Sequence, residues 1–121
     1  MKNQETIQAK SNILNILDQL QASDLNNKAE DLYNKQKYQE SLELHLKALN
    51  MREIYAPNSL NESISYHGIG NAYYGLEEYN KAINYFEKAI KIEEKQAPNS
   101  LTLANYYNDI AITYNFLKEY K

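Results

Sequence analysis

The two histidines, His45 and His67, are the side chains of this 121-residue chain best suited to acid–base chemistry or metal binding. An imidazole acts as a general base within hydrogen-bond reach of the proton that it takes, and metal sites add further ligands at characteristic spacing. No acid or nucleophile stands in such a relation to either histidine, and the chain contains no HExxH motif. We therefore predict no catalytic residue and no metal site. His67 is expected on a helix surface, and His45 in a packing position.

The segment Gly68-Ile69-Gly70 is half of a dinucleotide-binding motif. In such a motif the glycines follow a strand and open a helix, so that backbone N–H groups can hold a pyrophosphate. Here the segment lies inside a helical pattern, and no strand pattern precedes it. Cysteine is absent, which excludes disulfides and thiolate metal sites. The sequence therefore predicts no cofactor.

The charges of the chain argue against nucleic acid as a partner. The formal net charge is −3, the single arginine is Arg52, and the lysines are scattered along the sequence. A surface that binds phosphates needs clustered lysine and arginine side chains. We expect protein or peptide partners instead.

No apolar run approaches the roughly 18 to 20 residues that a membrane-spanning helix requires. The first twenty residues, MKNQETIQAKSNILNILDQL, also lack the unbroken apolar stretch and the cleavage site of a signal peptide. The absence of cysteine fits a reducing compartment. We predict a cytoplasmic protein that does not associate with membranes.

The elements that position these side chains follow from an internal repeat. The string APNSL occurs at residues 56–60 and 97–101, an offset of 97 − 56 = 41 residues. The same shift places Tyr38 on Tyr79 and on Tyr120, and further matches are spread over the whole unit. Self-similarity at a fixed period of this length is the signature of a repeat protein.

Each repeat unit is predicted to be a pair of helices. Apolar and small residues recur with helical spacing from Tyr66 to Leu76, and the pattern resumes at Tyr79 after a short break. In the APNSL loop, Pro57 disfavours helical geometry at the preceding residue. Either Asn58 or Ser59 can cap the next helix, and Ser59 with Glu62 fits a capping box. The second copy keeps the serine, as Ser100, but has Leu103 where the acid would stand.

The repeat resembles the tetratricopeptide repeat. Its unit of 41 residues is longer than usual for that family and looks like the repeats of the kinesin light chain. The segments that carry the resemblance are IGNAY (69–73), then Tyr79, Ala82, Phe86 and Ala89, with KIEEKQAPNSL (91–101), YNDIA (107–111) and LNNKA (25–29). The resemblance implies an all-α, right-handed superhelical solenoid of antiparallel helix pairs, with about two and a half repeats plus an N-terminal helix. In this comparison His45 replaces the usual aromatic residue.

We divide the chain into an N-terminal helix over residues 1–22 and an array over 23–121. Repeat 1 covers about 23–58, repeat 2 about 59–99 and a partial repeat 3 about 100–121. Within the array we expect helices near 24–35, 38–55, 60–75, 79–96 and 101–116, with Tyr120 opening another. The N-terminal helix has an apolar stripe from Ile13 to Leu20. Either it caps the first helix of the array, or it is an independent interaction helix or dimer seam.

The resemblance also implies that the first helix of each pair lines a concave groove that binds an extended peptide. Asparagine suits such a groove, because its amide can donate to and accept from a ligand backbone at once, and tyrosine adds flat contact area. The predicted groove residues are Asn26, Asn27, Glu30, Tyr33, His67, Asn71, Tyr74, Asn105, Asn108 and Ile112. None is basic, which disfavours ligands held by a terminal carboxylate.

Other interpretations stay open at this point. Asparagine is abundant in the chain and favours exposed positions in any case. The array could also serve as a structural or oligomerising spacer in a larger protein, or as a sensor of a small signal peptide. The last helix would lack a hairpin partner, which suggests either a longer array or a second chain covering a self-association face of Tyr107, Ile110, Tyr114 and Leu117.

Overall fold

Five α-helices make up residues 2–119, the part of the chain that the computed structural model describes, and this part contains no strand. The predicted all-α class is confirmed, and the predicted helices agree closely with those of the structure beyond the first. The further helix predicted to open at Tyr120 lies outside the described residues. The helices are α1 (Lys2–Asn34), α2 (Tyr38–Tyr55), α3 (Leu60–Gly75), α4 (Tyr79–Gln96) and α5 (Leu101–Glu119).

The helices stack in the order of the chain. Helix α1 packs on α2, α2 on α3, α3 on α4 and α4 on α5, while α1 also contacts α3. Each helix therefore covers the apolar side of the next one, as in a helical repeat solenoid.

Two kinds of connection join the helices, and local hydrogen bonds explain both. In the α2–α3 loop, Ser59 Oγ accepts a hydrogen bond from the backbone N–H of Glu62 (3.1 Å), and the Glu62 carboxylate accepts one from the N–H of Asn58 (3.2 Å). In the α4–α5 loop, Ser100 Oγ accepts a hydrogen bond from the N–H of Leu103 (3.0 Å). Of the two cap candidates predicted in the first loop, Ser59 is the N-cap of α3, and Ser100 caps α5 without the acid.

The shorter α1–α2 and α3–α4 turns each contain one residue in the left-handed conformation. Gln36 and Glu77 both have φ 62°. The N–H of Lys37 donates to the carbonyl of Leu32 (2.8 Å), as in a Schellman motif, and the N–H of Glu78 donates to Tyr73 in the same way (2.9 Å). The two turns thus end their helices by the same mechanism, although neither uses the usual glycine.

The core consists of two adjacent clusters, and tyrosines extend both. The first cluster contains Leu42, Leu49, Ile69 and Ala72, and the second contains Ala89, Ile90, Leu103 and Tyr106. Tyr66 packs against both, while its hydroxyl donates to Glu53 at the surface (3.4 Å). A tyrosine can therefore bury its ring in this thin stack and still have a polar partner for its hydroxyl.

The N-terminal segment differs from its prediction, because residues 2–34 form one uninterrupted helix. Residues 2–22 extend the first repeat helix in line and do not fold back over it as a separate capping helix. The half-buried side chains of this segment include the polar Asn15, Asp18 and Gln19. Its isoleucine and leucine side chains face solvent, with exposed fractions between 54% and 65% for Ile7, Ile13, Leu14, Ile16, Leu17 and Leu20. No glycine or proline interrupts the segment, so nothing local ends the helix near residue 22.

Candidate binding groove

Two adjoining cavities lie on the surface formed mainly by α1, α3 and α5, and they share Tyr33 and Asn71 as walls. We call this surface the groove. The first cavity, of about 240 Å³, is lined by Glu30, Tyr33, Asn34, His45, Ile64, His67, Gly68 and Asn71. The second cavity, of about 110 Å³, is lined by Tyr33, Asn71, Tyr74, Phe86, Asp109, Ile112 and Thr113.

The structure brings six of the ten predicted groove residues together around these cavities. They are Glu30, Tyr33, His67, Asn71, Tyr74 and Ile112. Asn27, Asn105 and Asn108 are exposed but line neither cavity. The side chains that do line the cavities thus combine phenol, amide and carboxylate groups.

His67 belongs to α3, and its side chain connects this helix to α5. Its Nε2 is 2.7 Å from Asp109 Oδ2, and its ring stacks on Tyr106 with the centroids 4.3 Å apart. On the other side, Asn71 Nδ2 lies 3.5 Å from His67 Nδ1. The histidine therefore orients the Asp109 carboxylate at the edge of the second cavity.

Asp109 is a groove residue that the sequence analysis missed. The signal was present in its spacing, since residues 105, 108, 109 and 112 share one helix face. What the sequence could not show is the partner, because His67 lies 42 residues earlier in the chain.

Tyr33 and Tyr74 give the groove two aromatic walls. The Tyr33 ring packs against Tyr38 (centroids 5.3 Å apart), and the Tyr74 ring contacts Phe116 edge-on (5.6 Å). Burial raises the pKa of both phenols above the ordinary value, and the negative charge of Asp109 adds to the rise in each case. The carboxylate is thus close enough to act on both hydroxyls.

A comparison with known families decides what kind of array this is. A family model for the tetratricopeptide repeat matches residues 20–95, more than half of the chain. The chain belongs to the tetratricopeptide-repeat family. Comparisons with curated proteins and with solved structures gave no match. Tetratricopeptide repeats form an interaction and scaffold fold, so the family itself indicates protein partners.

Asn26 lies inside this tetratricopeptide-repeat array, and its predicted place in the groove needs correction. Its side chain is 3% exposed. In the amide orientation that satisfies every partner, Asn26 Nδ2 donates to His45 Nδ1 (2.9 Å), and Asn26 Oδ1 accepts from the Arg52 guanidinium. An amide with both of its polar atoms engaged in the interior cannot contact a peptide at the surface.

Arg52 completes this interior polar cluster. It donates to the carbonyl of Asn61 (2.8 Å), to Ser65 Oγ (2.9 Å) and to Ser23 Oγ (3.0 Å). Its partners come from α1 and α3, while Arg52 itself belongs to α2, so one side chain connects three helices of the tetratricopeptide-repeat array. The only arginine of the chain is therefore structural.

His45 fills the interior position predicted for it. Burial, together with the nearby His67 and Arg52, lowers the pKa of the imidazole to about 4. A Cβ atom added to Gly68 would collide with the His45 ring, so α3 presents bare backbone to this side chain. The imidazole is thus neutral at pH 7 and acts as a hydrogen-bond acceptor for Asn26.

The predicted self-association face divides into two parts in the structure. Tyr107 and Tyr114 are 45% and 48% exposed, and the Tyr114 hydroxyl donates to Glu87 of α4 (3.2 Å). Ile110 packs against the second core cluster, and Leu117 is half-buried beside Tyr79. The four residues do not form one continuous exposed apolar patch.

Residues 2–119 contain neither a cluster suited to a metal ion nor a helix suited to span a membrane. This part of the tetratricopeptide-repeat chain contains no group of three or more His, Cys, Asp or Glu side chains arranged to hold a metal ion. None of its helices combines the length and the apolar character needed to cross a bilayer.

Proposed function

We propose that this tetratricopeptide-repeat chain is a non-catalytic protein-interaction module that captures an extended peptide segment in the groove. The observation that carries the proposal is the continuity of the two cavities through Tyr33 and Asn71. A ligand that runs along both would meet an amide able to pair with its backbone and phenol rings able to pack on its side chains. The family supports protein partners in general.

Two amides are removed to test this proposal: that of Asn71, which lines both cavities, and the exposed amide of Asn108, which is next to Asp109 in α5. Random twelve-residue peptides displayed on phage are selected on the wild-type protein, and the affinity of a selected synthetic peptide is then measured by fluorescence anisotropy. We expect the double variant Asn71→Ala/Asn108→Ala to bind it about 10-fold more weakly, because hydrogen bonds to the peptide backbone are lost.

The matched control is Asn50→Ala/Asn84→Ala, which removes two exposed amides from α2 and α4. This control is expected to bind like the wild type. The proposal fails if selection yields no peptide, or if the groove variant and the control bind equally well while circular dichroism shows unchanged helicity.

The subfamily and the unit boundaries are part of the same proposal. We infer a kinesin-light-chain-like array with units of about 41 residues, divided as in the sequence analysis. This is supported by helix starts at Tyr38 and Tyr79, and at Leu60 and Leu101, each pair separated by 41 residues (79 − 38 and 101 − 60). The left-handed residues Gln36 and Glu77 have the same separation (77 − 36). The cytoplasmic location and the lack of nucleic-acid partners stay predictions.

A second candidate function is that of an oligomerising spacer, and the apolar side of α1 favours it. Six isoleucine and leucine side chains between Ile7 and Leu20 are more than half exposed on one helix. Scattered exposed apolar residues are normal, but a contiguous apolar surface marks an interaction site.

Charged substitutions on α1 test the spacer function. Sedimentation velocity of the wild type is expected to show association that rises with protein concentration, and Ile13→Asp/Leu17→Asp is expected to abolish it. The control Ile54→Asp changes a residue of α2 that is even more exposed, and this variant should associate like the wild type. In the otherwise wild-type chain, the double variant Tyr107→Ala/Tyr114→Ala tests the α5 face separately from α1. A wild type that stays monomeric at every concentration would exclude this function.

A further inference from the structure

The second cavity of the groove places one carboxylate between two phenol rings. Asp109, Tyr33 and Tyr74 all line this cavity of about 110 Å³. Asp109 is the one charged side chain among its walls, and the adjoining cavity adds Glu30. Within residues 2–119, neither cavity has a lysine or arginine in its lining. The groove therefore offers negative potential and aromatic surface at the same point.

The position of Asp109 is set by its neighbours. His67 Nε2 lies 2.7 Å from Oδ2, and the Asp109 side chain is still 34% exposed. The carboxylate is therefore oriented by the protein and yet accessible from the groove. Burial and, to a smaller extent, the negative charge of Asp109 raise the pKa of both Tyr33 and Tyr74, and all three groups line the same cavity.

This combination of groups favours a cation. The faces of aromatic rings attract ammonium and guanidinium groups, and a carboxylate adds a charge-assisted hydrogen bond. A cavity that holds a whole small molecule usually measures about 300 to 1,000 Å³. At about 110 Å³, the second cavity suits a single side chain.

We propose that the second cavity accepts the positively charged end of a lysine or arginine side chain from the peptide bound in the groove. The proposal rests on the proposed function, since it specifies the chemistry of the ligand at one point of that site. The charge of the groove is the opposite of what a ligand with a buried terminal carboxylate would need.

The selection of phage-displayed random peptides also tests this proposal. Peptides recovered on the wild type are expected to be enriched in lysine or arginine at one position of the aligned set. For a synthetic peptide from that set, replacing this residue with glutamine is expected to weaken binding about 10-fold, because the charge-assisted pair with the Asp109 carboxylate is lost.

Asp109→Asn provides the complementary change in the protein, since it removes the charge but keeps an oxygen that can accept a hydrogen bond from His67. This variant is expected to bind the peptide that carries the lysine or arginine (the lysine peptide) about 10-fold more weakly than the wild type does. Its affinity for the peptide with glutamine at that position (the glutamine peptide) is expected to equal that of the wild type. Such non-additivity would assign the contact to this one pair. Glu43→Gln on α2, which removes one exposed charge away from the groove, is the control and should leave both affinities unchanged.

The possible failures are distinguishable. Suppose that peptides bind and that Asn71→Ala/Asn108→Ala lowers their affinity. If these peptides are not enriched in lysine or arginine, or if Asp109→Asn leaves their affinity unchanged, this inference is wrong and the proposed function stands. Enrichment in acidic residues would overturn the inference equally. If no groove-dependent peptide is recovered, both fail. Tyr74→Leu, which keeps the Asp109 charge and removes one phenol, is expected to weaken binding of the lysine peptide as well. Urea unfolding checks that each variant is folded.

Discussion

Phe86→Ala is expected to lower the free energy of unfolding by about 3–5 kcal/mol, the usual cost of removing a buried phenylalanine ring. Phe86 is 1% exposed, and a Cβ atom at Gly70 would collide with its ring, so the ring lies directly on the backbone of α3. It also contacts His67, with centroids 5.5 Å apart. Because the neighbour at Gly70 is helix backbone and not a flexible side chain, it fills little of the space that the ring leaves. Urea unfolding followed by circular dichroism at 222 nm measures the change.

The control for this prediction is Ile54→Ala, which truncates an apolar residue that is 66% exposed on α2. It is expected to change the free energy of unfolding by no more than about 0.5 kcal/mol. Equal effects of the two substitutions would contradict the packing of Phe86, a residue of α4, against α3.

Acidification is expected to destabilise the array through His45. The pKa of the buried imidazole is about 4, against 6.5 for an ordinary histidine. Between these values the unfolded chain binds a proton that the folded chain does not, so the free energy of unfolding falls as the pH is lowered. The contribution of His45 is fully present above pH 6.5. About 3 kcal/mol of it is lost by pH 4.

His45→Gln isolates this contribution, because glutamine keeps a polar partner for Asn26 but does not titrate in this range. The free energy of unfolding is measured by urea titration at several pH values from 7.5 to 4 for both proteins. The difference between wild type and variant is expected to shift by about 3 kcal/mol across that interval. Parallel pH profiles would show that His45 does not titrate between the folded and unfolded states as described.

The sequence by itself was sufficient for the repeat and its connections. The loops at the two APNSL strings, the serine caps and the helix starts from Tyr38 onward could be predicted. Each depends on residues within a few positions of one another. Proline geometry, side-chain capping and apolar periodicity act locally. The same locality explains the difference at the N-terminus. The sequence analysis places the start of the first repeat near residue 23, but a unit boundary in the sequence is not a helix end unless a breaker residue stands there.

The groove depended on the tertiary structure, as one repeat position shows. Asn26, His67 and Asn108 are separated by 41 residues each (67 − 26 and 108 − 67), and the sequence analysis treated them alike. In the structure the first is buried, the second half-buried and the third exposed. The reason is the neighbour that each meets, since His45 and Arg52 engage Asn26 while Asp109 and Tyr106 contact His67. Residues at equal positions of the repeat have the same place on the helix backbone. The side chains of adjacent helices decide which of these residues can reach a ligand.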